Sequence, residues 1–130
     1  QWKIIGDDKI ATWQGEPRDN SFMQGCYACH SLRSPLTDGF DNNQAFLDQF
    51  SPSFLEPNLY HADGQIKEEV YVFGSFAQSK MYKAGVNCVD CHDKHTMKVK
   101  TKTNGLCLQC HSASEYNKPE HHRHKEQSTG

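Results

Sequence analysis

The sequence predicts a mostly α-helical chain of short helices and extensive loop, with little β-structure. Three observations lead there. The composition is polar: Ala, Val, Ile, Leu, Met, Phe, Trp, Cys and Gly make up 50 of 130 residues, about 38%, against roughly 45–50% in ordinary globular domains. All six cysteines fall in one five-residue pattern, Cys-x-x-Cys-His, at Cys26–His30, Cys88–His92 and Cys107–His111. No tandem repeat beyond that pentad exists, and the elements that can be read between the pentads are short and bounded by turn residues. Leu, Ile, Val and Phe account for 23 of 130 residues at a net charge of only −2, so the strongly charged, disordered class is only half met. Such a chain orders itself when something other than its own side chains supplies apolar surface.

The pentads admit three chemical readings. Structural zinc takes four thiolate or imidazole ligands, commonly as two paired knuckles. Three pairs leave one without a partner, and zinc does not require a histidine after each second cysteine. Disulfides within Cys-x-x-Cys close very small loops and remove little chain entropy, and a redox dithiol needs a βαβ context that is absent here. The remaining reading is covalent haem. Two thioethers fix the porphyrin edge, and the adjacent histidine becomes an axial ligand of the iron. One helical turn puts both sulfurs beside the macrocycle and turns the next imidazole under the metal. The sequence therefore predicts three c-type haems. They are attached at Cys26, Cys29, Cys88, Cys91, Cys107 and Cys110 and ligated by His30, His92 and His111, with short helices wound around the packed haems.

The elements follow in order. Residues 1–20 hold both tryptophans and read as loop with a short extended piece. A helix is predicted over 21–33, carrying the first pentad. "LTDGFDNN" is turn chemistry, after which Asn42 or Asn43 caps a short helix with Ala45, Phe46 and Phe50 on one face, ended by Pro52. "IKEEVYVF" reads as extended. Ser75 caps a helix running to Ala84, with Gly85 as its stop. After the second pentad, residues 96–105 alternate Met97, Val99, Thr101 and Thr103 against Lys98, Lys100 and Lys102 before Asn104-Gly105. A small hairpin arm is predicted there, its lysine face solvated; docking of an acidic partner or of haem propionates is the sharper reading of those lysines. The third pentad opens a helix over 106–116, ended before Pro119.

Five histidines lie outside the pentads, more than three irons need. His95, three residues after His92, is better placed for a neighbouring haem's iron than for its own. His61 lies in the 57-residue stretch between His30 and Cys88, which needs a reason to fold over the haems. The tail offers His121, His122 and His124, with His124 and then His121 favoured. Met23, Met81 and Met97 sit in helix- or strand-like stretches and read as gap-filling core.

Near-neutral charge leaves no electrostatic footprint for nucleic acid. No apolar run is long enough to span a membrane. The chain opens at Gln1 without a leader-like segment, which leads us to expect an excised piece of a larger protein or one whose signal peptide has been removed. Residues 1–130 are expected to form a single trihaem module. Haem attachment outside the cytoplasm, together with the lack of any spare cysteine, predicts a periplasmic or exported protein.

With these motifs placed, "SPSFLEPNLYHADGQIKEEVYVFGSFAQSKMYKAGVNCVDCHDKH", followed by "LCLQCH" and "HHRH", resembles the multihaem cytochromes c related to the tetrahaem carriers of hydroxylamine oxidation. It is most similar to the branch in which such a module is fused to tetratricopeptide repeats. The resemblance covers residues 22–124. It implies an exported electron-transfer protein and carries His61, His95 and the His121–His124 cluster over as ligands. Members of that family have further Cys-x-x-Cys-His motifs before and after this region. Their absence here predicts a fragment whose full-length chain holds additional haem or repeat domains.

Electron transfer through three mainly bis-histidine haems, between redox partner proteins, is the expected function. The alternative is a redox enzyme module in which one five-coordinate haem acts on a small nitrogen or sulfur oxyanion, with Arg33 as a candidate anion clamp. Arg33 reads more simply as a propionate partner. A haem-bearing sensory or scaffolding module is the third possibility.

Overall fold

The structure is a computed structural model that describes residues 1–123, at His122 the backbone only. Helix makes up 30% and strand 13% of it. The expectation of a mostly α chain is therefore wrong. The physical reason is element length: the helices run four to seven residues, and a turn or two of helix is below what propagates without tertiary support. Backbone groups left over are satisfied in two small antiparallel ribbons and in isolated bridges instead. The chain divides into a central unit, residues 18–87, and a terminal unit formed by residues 1–17 with the segment from Cys88 onward.

In the central unit, helix α1 (Met23–Tyr27) buries Met23 and Tyr27. It is shorter than the predicted 21–33, because Arg33–Pro35 leaves helix to become a strand. That strand pairs antiparallel with Phe50–Pro52 in the register Arg33↔Pro52, Ser34↔Ser51, Pro35↔Phe50. Between them lies helix α2 (Phe46–Gln49). Its cap is not Asn42 or Asn43. The Phe46 N–H donates to Gln24 Oε1 at 2.9 Å, while the Asn43 N–H is spent on Asp41 Oδ1. Gln49 is 1% exposed. Its amide nitrogen donates to the carbonyls of Asp41, Gln44 and Ala45, and its oxygen accepts the Asp41 N–H at 2.7 Å. A buried amide so completely used is stabilising rather than costly.

The core is aromatic. Tyr27 meets Phe73 edge-on at 4.6 Å, and Phe46 lies 5.1 Å from Phe73 and 5.6 Å from Phe50. Phe73 belongs to helix α3 (Val72–Ala77), so the predicted extended stretch 66–73 reaches only an Ile66–Tyr60 bridge before helix begins. Ser75 lies inside α3. The capping serine is Ser79, whose Oγ accepts the Tyr82 N–H at 3.1 Å at the start of helix α4 (Lys80–Lys83). Gly85 stops that helix as expected, at φ +86°. Gly74 is required: a Cβ there would collide with the buried Tyr60 hydroxyl.

The terminal unit opens with a ribbon pairing Trp2 with Trp13 and Lys3 with Thr12, the two indoles edge-to-face at 5.7 Å. Helix α5 (Cys88–Cys91) is one turn long. The hairpin predicted near 96–105 does not form. Val99 instead bridges to His92, the Lys100 N–H donates to Cys91 O, and from Thr103 the chain enters a 3₁₀ helix, Thr103–Gln109. The helix predicted over 106–116 is thus split into the end of that 3₁₀ helix and α6 (Ala113–Tyr116). Pro119 opens a last turn, α7 (Pro119–His122), at the position where a missing N–H costs nothing. Of the methionines read as core, Met23 is buried, whereas Met81 and Met97 are 49% and 64% exposed.

Candidate functional site

Each pentad closes with the same hydrogen bond. The His30 N–H donates to Cys26 O at 2.9 Å, the His92 N–H to Cys88 O at 2.9 Å, and the His111 N–H to Cys107 O at 3.0 Å. That single i→i+4 bond sets both sulfurs of a pair one turn apart on one side and starts the histidine from the end of the turn. None of the six cysteines is in a disulfide. Burial, then the Asp90 carboxylate and then the neighbouring Cys107, push the Cys91 thiol up; burial, Asp90 and Cys91 do the same to Cys110. Among the described residues, no three His, Cys, Asp or Glu side chains gather as a cage for a bare metal ion. The coupling of Cys91 to Cys107 and of Cys110 to Cys91 reflects the closeness of the second and third pentads within the terminal unit.

Whether a porphyrin suits these residues is tested by what stands next to each histidine. Val99 pairs with His92 and Ile10 with His111 in antiparallel bridges. Directly opposed residues of an antiparallel pair share a face. Each of these histidines therefore has a β-branched aliphatic side chain on its own face, 47% exposed at Val99 and 50% at Ile10. An apolar disc against a histidine is served by that arrangement, and the residues fit the group.

The three histidines are held differently. His30 carries its support on the backbone, its carbonyl accepting the Phe73 N–H at 3.0 Å. Nearby, the Arg33 guanidinium lies 4.2 Å over the Phe50 ring and donates from Nε to the Ala28 carbonyl, which ties it to the first pentad. His92 has its ring fixed, with Nδ1 2.9 Å from the Met97 carbonyl. In the neutral ring, donation from Nδ1 leaves the Nε2 lone pair open to a metal, the arrangement usual for a metal-ligating histidine. His111 is locked through its main chain: the Ala11 N–H donates to Cys110 O at 2.7 Å and the Ser112 N–H to Lys9 O at 2.9 Å. Its ring rests edge-on against Tyr116, centroids 4.5 Å apart.

The predicted distal ligands are placed unequally. His121 is brought to the third pentad, its ring 4.8 Å from the same Tyr116 that touches His111. His95 sits exposed on the loop after the second pentad, its N–H bound to Asp93 Oδ1. His61 sits exposed on a turn of the central unit, its N–H donating to Gln65 O and its carbonyl accepting the Gly64 N–H. His124 lies outside the described residues. Sequence reading missed the Met97 carbonyl, Tyr116 and the Lys9–Ala11 segment that bridges to His111 at Ile10. Of these, only the Met97 loop had a local signal, the Asp93-x-x-Thr96 spacing that favours a side-chain-closed turn.

Compared with family models, with curated proteins and with solved structures, the chain matches none. No helix among the described residues is long and apolar enough to cross a membrane.

Proposed function

We propose that this chain is an electron-transfer module carrying three covalently bound c-type haems. They are attached through Cys26 and Cys29, Cys88 and Cys91, and Cys107 and Cys110, with His30, His92 and His111 as axial ligands. The observation that supports it best is the threefold recurrence of one closed turn, with the His N–H returning to the first cysteine's carbonyl each time. The His92 ring, with Nδ1 on a carbonyl and Nε2 left for a metal, supports it independently.

When bound, the haems supply reversible one-electron chemistry at iron. The chain supplies position. Its pentads present the paired thiols for thioether formation, its pentad turns orient the imidazoles, and Val99 and Ile10 offer apolar surface beside His92 and His111. In this reading the second axial ligands are His95, His61 and one histidine of the tail, His124 or His121. Two protein ligands per iron leave no site for substrate, which is why transfer rather than turnover is proposed. The resemblance to tetrahaem carriers of hydroxylamine oxidation leads the same way, with an exported location, redox proteins as partners and further haem or repeat domains in the full-length chain.

The test is stepwise removal. Replacing both cysteines of one pentad with serine should lower the denatured mass of the matured chain by one haem, and each of the three double variants should do so independently. Variants that retain the full count, or parent chains that carry no haem, would refute the proposal.

A further inference from the structure

The second and third pentads differ in a way the shared motif conceals. At His92 the ring is exposed and Nδ1 faces the Met97 carbonyl at 2.9 Å. At His111 the ring is half-buried against Tyr116, and its Nδ1 is buried without a hydrogen-bond partner. Hydrogen bonding from Nδ1 raises the basicity of the coordinating nitrogen, and solvent access sets the local dielectric; both control the potential of a bound metal. A more basic imidazole and nearby water favour the oxidised, more highly charged iron. An imidazole with no acceptor in a drier site favours the reduced one. The two effects have the same sign.

We infer that the two haem sites of the terminal unit are set at unequal potentials, with the His92 site the lower and the His111 site the higher. The inference rests on the haem reading above. With haem held by both histidines, a single electron exchanged between the two sites would rest at the His111 site, the His92 site being oxidised as the His111 site is reduced. No proton and no co-reactant is needed.

The lower site is held by a built loop. Asp93 Oδ1 accepts from the Thr96 N–H at 2.8 Å, the Thr96 hydroxyl at 3.0 Å and the His95 N–H at 3.1 Å. The Asp93 N–H donates to Lys98 O, and the Met97 N–H to Asp93 O. Together these hold Met97 at φ +58°, a left-handed conformation that a methionine adopts only when its surroundings over-determine it. The consequence of that strain is a carbonyl aimed at His92. Asp93 is thereby a positioning residue for a ligand it does not touch.

The experiment uses the matured chain, with haems first counted by denatured mass. Each iron is then followed through a redox titration by proton NMR, with the haem methyls assigned by their proximity to Val99 for the His92 site and to Ile10 for the His111 site. The His92 site should be oxidised first as the ambient potential rises. Equal potentials, or the reverse order, would overturn the inference and leave the haem reading standing. A chain without haem would overturn both. Asp93→Asn removes the charge but keeps an oxygen acceptor, whereas Asp93→Ala removes both. The alanine variant should raise the His92-site potential further than the asparagine variant does and leave the His111 site where it was. Equal shifts in the two variants would overturn the positioning role, and the parent titration decides the order of potentials without either.

Discussion

The central unit buries Met23, Tyr27, Ala28, Phe46, Phe50, Tyr60 and Val70. In the terminal unit, Ala11 alone is buried among the described apolar residues. Yet the terminal unit holds two of the three pentads. The central unit has an aromatic core of its own around Phe46, with its buried polar Gln49 fully bonded. The terminal unit has one ribbon, single turns, and half-exposed aliphatic side chains opposite His92 and His111. Units of this size seldom find enough stability in side chains alone, and a prosthetic group is a usual remedy. On the proposed function, one short chain would combine two ways of becoming ordered: by its own packing at the first pentad, and by bound haem at the second and third.

The largest expected effect breaks the terminal unit alone. Replacing Cys88, Cys91, Cys107 and Cys110 with alanine should abolish amide exchange protection at Cys110–Ser112 and Ala11, while the amides around Phe46 and Gln49 remain protected. Protection surviving in both regions would show that the terminal unit does not depend on haem. The reciprocal change is Phe46→Ala, which empties the centre of the aromatic cluster and should cost about 3–5 kcal/mol in the central unit. Denaturant unfolding followed at the tyrosines should register it, and the spectra of the two terminal-unit haems should not move.

Smaller changes sharpen the comparison. His121→Ala should turn one haem high-spin in its absorption spectrum with all three still attached, and His95→Ala should do the same at a different haem. An unchanged low-spin spectrum removes that histidine from the ligand set. Ser79→Ala, which deletes the cap of α4, should cost about 1 kcal/mol, measurable as a shift in the central unit's unfolding midpoint. The smallest effect is one of pH. The Asn43 N–H, then the Gln44 and Asn43 side chains, hold the Asp41 carboxyl below the usual carboxylate range. A carboxyl depressed in the folded state stabilises fully above its unfolded value, about pH 4, and that contribution disappears as the pH falls through the depressed value. The central unit's stability should therefore decline below about pH 4, and Asp41→Asn should decline less steeply.

Much of the site was legible and less of the fold. The pentads could be read because their chemistry is local: five consecutive residues specify the turn, the sulfurs and the imidazole. Gly85 was legible for the same reason, since a glycine after a helix signals a left-handed stop. The mostly helical expectation failed because the pentad turns do not propagate. Arg33 and Ser34 found strand partners at Pro52 and Ser51, residues whose proximity no local pattern encodes. The lysine alternation at 96–105 was genuine, but its partner was the second pentad's own backbone rather than a second arm. Gln24 capping α2 from 22 residues away, and Lys9–Ala11 closing on Cys110 and Ser112, are likewise long-range outcomes that propensity does not carry.

The haem content of the matured chain, read with its oxidised and dithionite-reduced visible spectra, tests the central claim most directly. We expect three haems per chain that resist extraction into acidic organic solvent, and low-spin bands in both oxidation states. A high-spin fraction near one haem in three would shift the function towards the five-coordinate enzyme alternative. A chain with no bound haem, or with haem that extracts freely, would contradict covalent attachment at the pentads and the proposed function with it.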